Sequence, residues 1–254
     1  MIGERITSRA NARVKYLRKL GTSRSFRYEN RAFLCDGEKL LIEAHETEMK
    51  LGMVLVDELR LENLAQELPW LEEYRLFPAP GEVLASASAL ETPQSVLFDC
   101  AMPEPAQTCQ AGMILLDRLQ DAGNVGTIIR TADAFGLSGV VLDGCVDPFN
   151  PKTVRAAMGS IFRVPLLEAE LMTFVPECRE RGIMVCAAML TPEAKSVFEV
   201  TLKHTVVIVG NEGSGVRPEL AALCDHSIIL PMRGETESLN ASVAAAILIW
   251  EMTK

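Results

Sequence analysis

Five short apolar runs in the second half of the chain constrain its fold more than any other feature. They are MILLD at 113–117, GVVLD at 139–143, IMVCAAM at 183–189, TVVIV at 205–209 and SIIL at 227–230. Each is almost continuously apolar rather than alternating, and helical stretches separate most of them. A strand that is apolar on both faces needs cover on both, so the pattern predicts a mostly parallel sheet with helices on each side. The first hundred residues carry the same alternation on a smaller scale. A strand in RAFLCD, a turn at Asp36-Gly37 and a helix come first; strands near 53–57, 74–77 and 95–99 follow, with helices to about 68 and near 82–90 between them. PEPAQTCQ at 103–110 has two prolines and no periodicity, and reads as a linker. The expected organisation is an α/β chain with a small domain at 1–102 and a larger one at 111–254.

Several classes are set aside by composition. No stretch is long and apolar enough to span a bilayer. The chain is charged from Glu4 and has no secretory leader pattern, so a cytoplasmic protein without a membrane partner is expected. Seven cysteines lie at 35, 100, 109, 145, 178, 186 and 224, with no C-x-x-C pair and no histidine at ligand spacing. Reduced thiols acting as small core fillers are expected, with neither a disulfide framework nor a metal site. The net charge of −9 argues against a general polyanion binder, but residues 1–39 hold ten basic and four acidic side chains. That segment carries +6 and leaves −15 for the rest, a local basic surface on an acidic body. It is either a solvated basic helix at ANARVKYLRKL or a surface for a polyanion.

Ligands of parallel sheets bind beyond the carboxyl ends of the strands, and three segments there are rich in Gly, Asn, Glu and Ser. In DRLQDAGNVGTIIRTADAFG, residues 117–136, Asn124 is the expected N-cap of a helix ending near Gly136. At the helical period Val125, Ile128, Ala132 and Phe135 share one face and Arg130 points away from it. Arg130 therefore either pairs with Asp133 or reaches solvent, a partner chain or a substrate. VIVGNEGSGVRPEL, residues 207–220, places Gly210, Gly213 and Gly215 between a strand and a helix start at Pro218. The order is neither the dinucleotide fingerprint nor a phosphate loop. It is either a tight turn or a backbone that approaches a ligand closely, and a turn alone has no need of Glu212. LPMRGETESLNASVAAAILIWEM, residues 230–252, runs through Gly234 into a helix apolar nearly all round, to be buried in the core or against another subunit; Ser238 or Asn240 caps it. Between these segments, DPFNPKTVRAAMGSIFRVP at 147–165 adds Lys152, Arg155 and Arg163, as ordinary surface charge or as a positive edge.

Together N-V-G-T-I-I-R-T-A, V-G-N-E-G-x-G and P-M-x-G-x-x-x-S-L-N-x-S-V-A, in this order over roughly 112–254, resemble the three signature motifs of the SpoU-type (TrmH-like) RNA ribose 2′-O-methyltransferases of the SPOUT superfamily. F-L-C-D-G-E-K-L-L-I-E-A resembles the family's accessory substrate-binding domain, a small ribosomal-protein (L30e-like) α/β fold. The resemblance implies a deep trefoil knot in the C-terminal domain, which general topology rules would exclude, and a homodimer with the site at its interface. It implies S-adenosylmethionine (AdoMet) as methyl donor, in a pocket of Leu190, Gly210, Leu230, Met232, Leu239 and Ala241. It makes Arg130 the catalytic arginine, with Asn124, Glu212, Ser238 and Asn240 completing the set. Arg9, Arg13, Lys15, Arg18, Arg24, Arg27 and Arg155 are the side chains expected to hold RNA, and the type of accessory domain implies ribosomal RNA. A transfer-RNA ribose methyltransferase and a knotted RNA base methyltransferase are the alternatives.

The family gives Arg130 the proton-accepting role, but a guanidinium stays charged up to a pKa above ~12. Clamping a substrate phosphate and stabilising the forming alkoxide suits it better.

Overall fold

The computed structural model describes residues 2–90, 92–105, 108–234 and 238–254. It divides into two compact units, Met1–Pro103 with Phe149–Phe162, and Glu104–Pro148 with Arg163–Lys254.

In the first unit α1 (Ala12–Thr22) is opened by Asn11, whose side chain accepts from the Arg13 amide, and it buries the stripe Val14, Leu17 and Leu20. Ser23 caps α2 (Arg24–Asn30), which stops at Arg31 in the left-handed region, φ 47°. The strands β1 (Ala32–Asp36), β2 (Leu51–Asp57), β3 (Leu76–Ala79) and β4 (Val96–Ala101) form one sheet in the order β1-β4-β2-β3. β4 runs antiparallel to both its neighbours, and β2 and β3 are parallel. The helices α3 (Glu38–Glu46), α4 (Leu61–Glu67) and α5 (Gly81–Ala87) join them. Gly52 stands where the register of β2 on β4 shifts, and it leaves room for the Asp99 carboxylate, which accepts from the Met53 amide at 2.6 Å.

The second unit begins with β5 (Met113–Asp117), α6 (Ala122–Ala134) and β6 (Gly139–Asp143). The helices α7 (Pro151–Ala157) and α8 (Ser160–Arg163) come next. Residues 149–162 lie inside the stretch expected to form the second domain, yet they group with the first unit. Their aromatic side chains account for this: Phe149 and Phe162 sit against Phe33, with ring centroids 4.9 and 6.1 Å apart. The chain then continues through β7 (Leu166–Glu168), α9 (Leu171–Glu180), β8 (Val185–Ala188), β9 (Lys195–Ser196), β10 (Val206–Gly210), α10 (Pro218–Ala221), β11 (His226–Ile229) and α11 (Ala241–Met252).

Seven strands make a wholly parallel sheet in the order β7-β6-β5-β10-β8-β11-β9. Each of the five apolar runs becomes one of its strands. β7 and β9, three and two residues long, are additions that no periodicity could reveal. β5 is buried along all five residues, as a central strand covered on both faces must be.

Three expectations are corrected. Cys109 and Cys178, both buried in the apolar cluster, form a disulfide with Cα atoms 5.5 Å apart; their separation of 69 positions hides the pairing in the sequence. Asn124 is not the cap of α6: Asp121 is, accepting from the Asn124 amide at 2.7 Å, so the helix starts earlier and Asn124 lies buried inside its first turn. Phe135 does not join Val125, Ile128 and Ala132 in the core; it follows the last helical residue, 38% exposed, and meets the Trp250 ring edge-on at 5.5 Å. The helix α11, expected to be buried in the core or against another subunit, is buried on one side within this chain. Ala241, Ala245, Leu248, Ile249 and Met252 are buried, and the helix packs on α6 and β10, whereas Val243, Ile247 and Trp250 are 38–50% exposed.

Among the described residues no helix is long and apolar enough to cross a membrane, and no three His, Cys, Asp or Glu side chains are grouped to hold a metal ion.

Candidate active site

The carboxyl ends of β8, β10 and β11 open into a cleft of about 680 Å³. Leu190, Gly210, Leu230, Met232, Leu239 and Ala241 all line it, as do Glu212, Ser238 and Asn240. Residues of three separated segments, 188–191, 209–218 and 228–248 (in the last, 228–232 and 238–248 among the described residues), thus meet around one space. Its size and its mixture of apolar walls with a few polar groups are those of a small-molecule site.

The glycine-rich loop is a closed structure of its own. The Asn211 amide donates to the Gly215 carbonyl at 3.1 Å, and the Gly215 amide returns a bond to the Asn211 carbonyl at 2.9 Å. Within the loop the Asn211 side-chain oxygen accepts from the amides of Gly213 and Ser214, at 3.0 and 3.1 Å. Its Nδ2 donates to the Arg118 carbonyl at 2.8 Å, tying the loop to the end of β5. Gly210 has no room for a side chain, since a Cβ there would run into the backbone of Gly215 and Val216. The close approach that glycine permits is therefore, in the first place, the loop's approach to itself.

Glu212 reaches out of this loop to the start of α6. Its carboxylate accepts from Asn124 Nδ2 at 3.1 Å and from the amides of Asp121 and Gln120 at 3.3 and 3.4 Å. Burial alone would push the Glu212 carboxyl up. Bonds from its own amide, from Asn124 and from Asp121 and Gln120 outweigh this and hold it below the ordinary value. A carboxylate so held at a helix N-terminus is a latch and a poor proton acceptor. Asn124 and Glu212, separated by 88 residues, are thus brought together, though Asn124 does not line the cleft.

At the third segment Asn240 caps α11, its side chain accepting from the amides of Ser242 and Val243 and from the Ser242 hydroxyl. Ser238 is exposed at the mouth of the cleft. Arg130 stands apart. It is exposed on α6 and does not line the cleft. The i+3 pairing with Asp133 is not made, because Asp133 pairs with Arg163 at 2.8 Å.

Sequence patterning missed a group beneath the cleft. The fully buried Asp117 ends β5, Asp143 ends β6, and both face Arg217. The signal was there in the matching ends of MILLD and GVVLD, since a fully apolar strand has no structural need for a terminal aspartate.

Within the first unit the basic side chains divide. Arg27 is corrected outright: it is 3% exposed and its guanidinium donates to the Leu20 carbonyl at 2.6 Å, so it holds the end of α1 and is not a surface cation. Arg9 pairs with Glu82 at 3.1 Å, and Arg13 pairs with Glu4 at 2.8 Å over the Phe77 ring. Arg18 donates to the Ser86 carbonyl at 2.6 Å, and Arg155 to the Thr92 hydroxyl at 3.3 Å. Arg24 lies over the Tyr28 ring. Lys15 is exposed on α1. Lys19, left out of the expected set, is exposed one turn further on, 4.2 Å above the Phe26 ring, which itself meets Tyr16 edge-on. Cations interleaved with aromatic rings suit a nucleic-acid backbone with unstacked bases.

The model of the SpoU rRNA methylase family matches residues 112–250, and that of the MRM3-like substrate binding domain matches residues 11–97. The chain is 37% identical over 251 residues to the 23S rRNA (guanosine(2553)-2'-O)-methyltransferase RlmP of Bacillus subtilis, covering 98% of this chain and 99% of that one. The AdoMet-bound rRNA methyltransferase from Sinorhizobium meliloti superposes with a TM-score of 0.84 at 32% identity, over 99% of this chain and 97% of that one. The SpoU methyltransferase AviRb from Streptomyces viridochromogenes, in complex with AdoMet, gives 0.83 at 29% identity, over 96% and 97%.

Proposed function

The chain belongs to the SpoU rRNA methylase family, and from that premise we propose that it transfers the methyl group of AdoMet to a ribose 2′-hydroxyl of ribosomal RNA. The observation that carries the reading is the meeting of three separated segments around a single cleft of about 680 Å³. Leu190, Leu230, Met232 and Leu239 offer apolar walls for the adenosine, and the 210–216 loop offers backbone polar groups beside them.

AdoMet supplies an electrophilic methyl on a sulfonium. The protein's work is to confine that donor, to place the ribose oxygen in line behind the methyl and to favour departure of the hydroxyl proton. Orientation of this kind is worth ~7–11 kcal/mol in favourable intramolecular cases. Arg130 clamps the substrate phosphate and stabilises the forming alkoxide. It does not line its own cleft, and it lies exposed on α6, which packs on α11. The chain accordingly works as a homodimer in which the Arg130 of one copy serves the cleft of the other. Val243, Ile247, Trp250 and Phe135, 38–50% exposed, give that dimer its apolar contact.

The C-terminal segment forms a deep trefoil knot in this reading. Its support is the strand order β5-β10-β8-β11, together with the return of α11 from β11 to α6 and β10. Residues 1–102 are in this reading an L30e-like substrate-binding domain that presents Lys15, Lys19 and Arg24 to RNA, with 103–110 as linker. The protein acts where ribosomal RNA is made, in the cytoplasm.

The test is methyl-labelled AdoMet with total RNA from cells lacking the protein, followed by separation of ribosomal from transfer RNA and alkaline hydrolysis of each. A labelled dinucleotide resistant to alkali is expected, because a 2′-O-methyl blocks cleavage at that linkage. Label that appears in alkali-sensitive mononucleotides places the methyl on a base, and label confined to transfer RNA changes the substrate.

A further inference from the structure

The 211–217 loop is closed on itself, so its place in the cleft depends on what fastens it to the sheet. Two fastenings sit at its beginning: Asn211 on the Arg118 carbonyl, and Glu212 on the start of α6. At its far end Val216 is buried in the core, and beside it one polar side chain, Arg217, ties the loop to the strand ends. The Arg217 amide donates to Asp117 Oδ2 at 2.9 Å, and Nε lies 2.8 Å from Asp117 Oδ1 as an ion pair without hydrogen-bond geometry. Arg217 Nη2 meets Asp143 Oδ2, the same oxygen that accepts the Leu171 amide at 2.9 Å. Asp117 and Asp143 close adjacent strands and pair directly in register.

We infer that Arg217 is a positioning residue for the methyl-donor site, registering the far end of the cleft loop on the carboxyl ends of β5 and β6. The inference rests on the donor-site reading given above. The geometry has a specific reason to need arginine. Its planar fork spans two carboxylates on neighbouring strands while its own amide binds one of them, and a lysine's single ammonium cannot span both with the same reach. Both strand ends also lead into segments that bear on the site: β5 into α6, which carries Asn124 and Arg130, and β6 into the turn before α7. Without the Arg217 fork the far end would keep the residue-217 amide bond to Asp117 and the burial of Val216, but would lose its tie to Asp143, and Gly215 to Pro218 would be less firmly registered on β5 and β6 in a wall of the cleft.

The experiment is calorimetric titration of AdoMet, with steady-state kinetics, for the wild type, Arg217→Lys, Asp143→Asn and Val175→Ala. Val175 is fully buried in the core, away from the cleft lining, so its truncation reports what lost stability alone does. Arg217→Lys is expected to weaken AdoMet binding roughly tenfold, the loss of one charge-assisted bond. KM for AdoMet should rise in parallel and kcat at saturating donor stay within about threefold. Asp143→Asn, isosteric and still able to accept the Leu171 amide, should shift affinity in the same direction, and it decides the matter if Arg217→Lys yields no folded protein. Val175→Ala should lower the melting temperature with donor affinity unchanged. Wild-type affinity in both Arg217→Lys and Asp143→Asn overturns the inference, as does an equal loss in Val175→Ala. A wild type that takes up no AdoMet removes the donor site itself, which is a different failure.

Discussion

Substituting Gly210 by alanine tests how tightly the cleft loop is defined. The added Cβ would stand 2.5 Å from the Gly215 carbonyl oxygen, and closer still to Gly215 C and Val216 N, where ordinary contact begins at 3.4 Å. All three atoms are backbone, so no rotamer relieves the clash; the loop must move by more than the roughly 0.9 Å that the oxygen alone demands. A shift of that size opens the paired bonds between Asn211 and Gly215, now 3.1 and 2.9 Å. At about 0.5–1.5 kcal/mol each they represent roughly 1–3 kcal/mol of local stability. The chemical consequence is larger than the stability cost, because displacements near 1 Å at a reacting centre cost about 100-fold in rate. The Gly210→Ala protein should therefore fold, melt a few degrees lower, and lose donor affinity and most of its activity together. Calorimetry with AdoMet and differential scanning calorimetry on the same preparation give both numbers. Wild-type donor affinity in Gly210→Ala would mean that the loop's own closure does not shape the site, and the argument from the loop would fall.

Arg130→Ala should lower kcat about 100-fold or more while AdoMet affinity stays at the wild-type value; a pH–rate profile for Arg130→Lys that restores the rate with a new, lower apparent pKa would instead make this residue the proton acceptor. Glu212 is held below its ordinary pKa of 4.5, so its latch is fully present above that pH and is lost as pH falls below it through the folded value; Glu212→Gln should remove that part of the acid sensitivity of donor binding. Reducing the Cys109–Cys178 disulfide, or Cys109→Ser, should cost about 4 kcal/mol for a loop of some 70 residues, read as a fall in denaturation midpoint. Lys15→Glu with Lys19→Glu should weaken RNA binding and reduce the slope of log affinity against log salt by roughly 1.4–1.8, two phosphate contacts' worth, with donor binding unchanged; an unaltered slope would take these lysines out of the RNA surface.

The parts of this protein that sequence alone made legible are those with a local cause. Apolar runs became strands because burial on both faces selects them, and the stripe Val14, Leu17 and Leu20 went inward because three-to-four spacing puts it on one face. The cleft residues were legible for another reason: two of the motif segments, after β10 and β11, end strands of one parallel sheet, and in such a sheet every carboxyl end lies on the same edge; the first motif segment ends β5 there too but does not line the cleft. What stayed hidden depends on partners far along the chain. Asn124 looked like a cap because its neighbours fit a cap; only Glu212, 88 residues on, explains why its side chain turns away from its own helix. Arg27 looked like a member of a basic surface because charge counts do not register that a guanidinium can be buried against a carbonyl. Asp117 and Asp143 were passed over as strand ends, although a buried carboxylate demands a cation somewhere, and that cation, Arg217, is 100 and 74 residues away. The residues hardest to read are thus those that fasten one motif to another. A site assembled from three separated loops needs such fastenings as much as it needs the residues that line it.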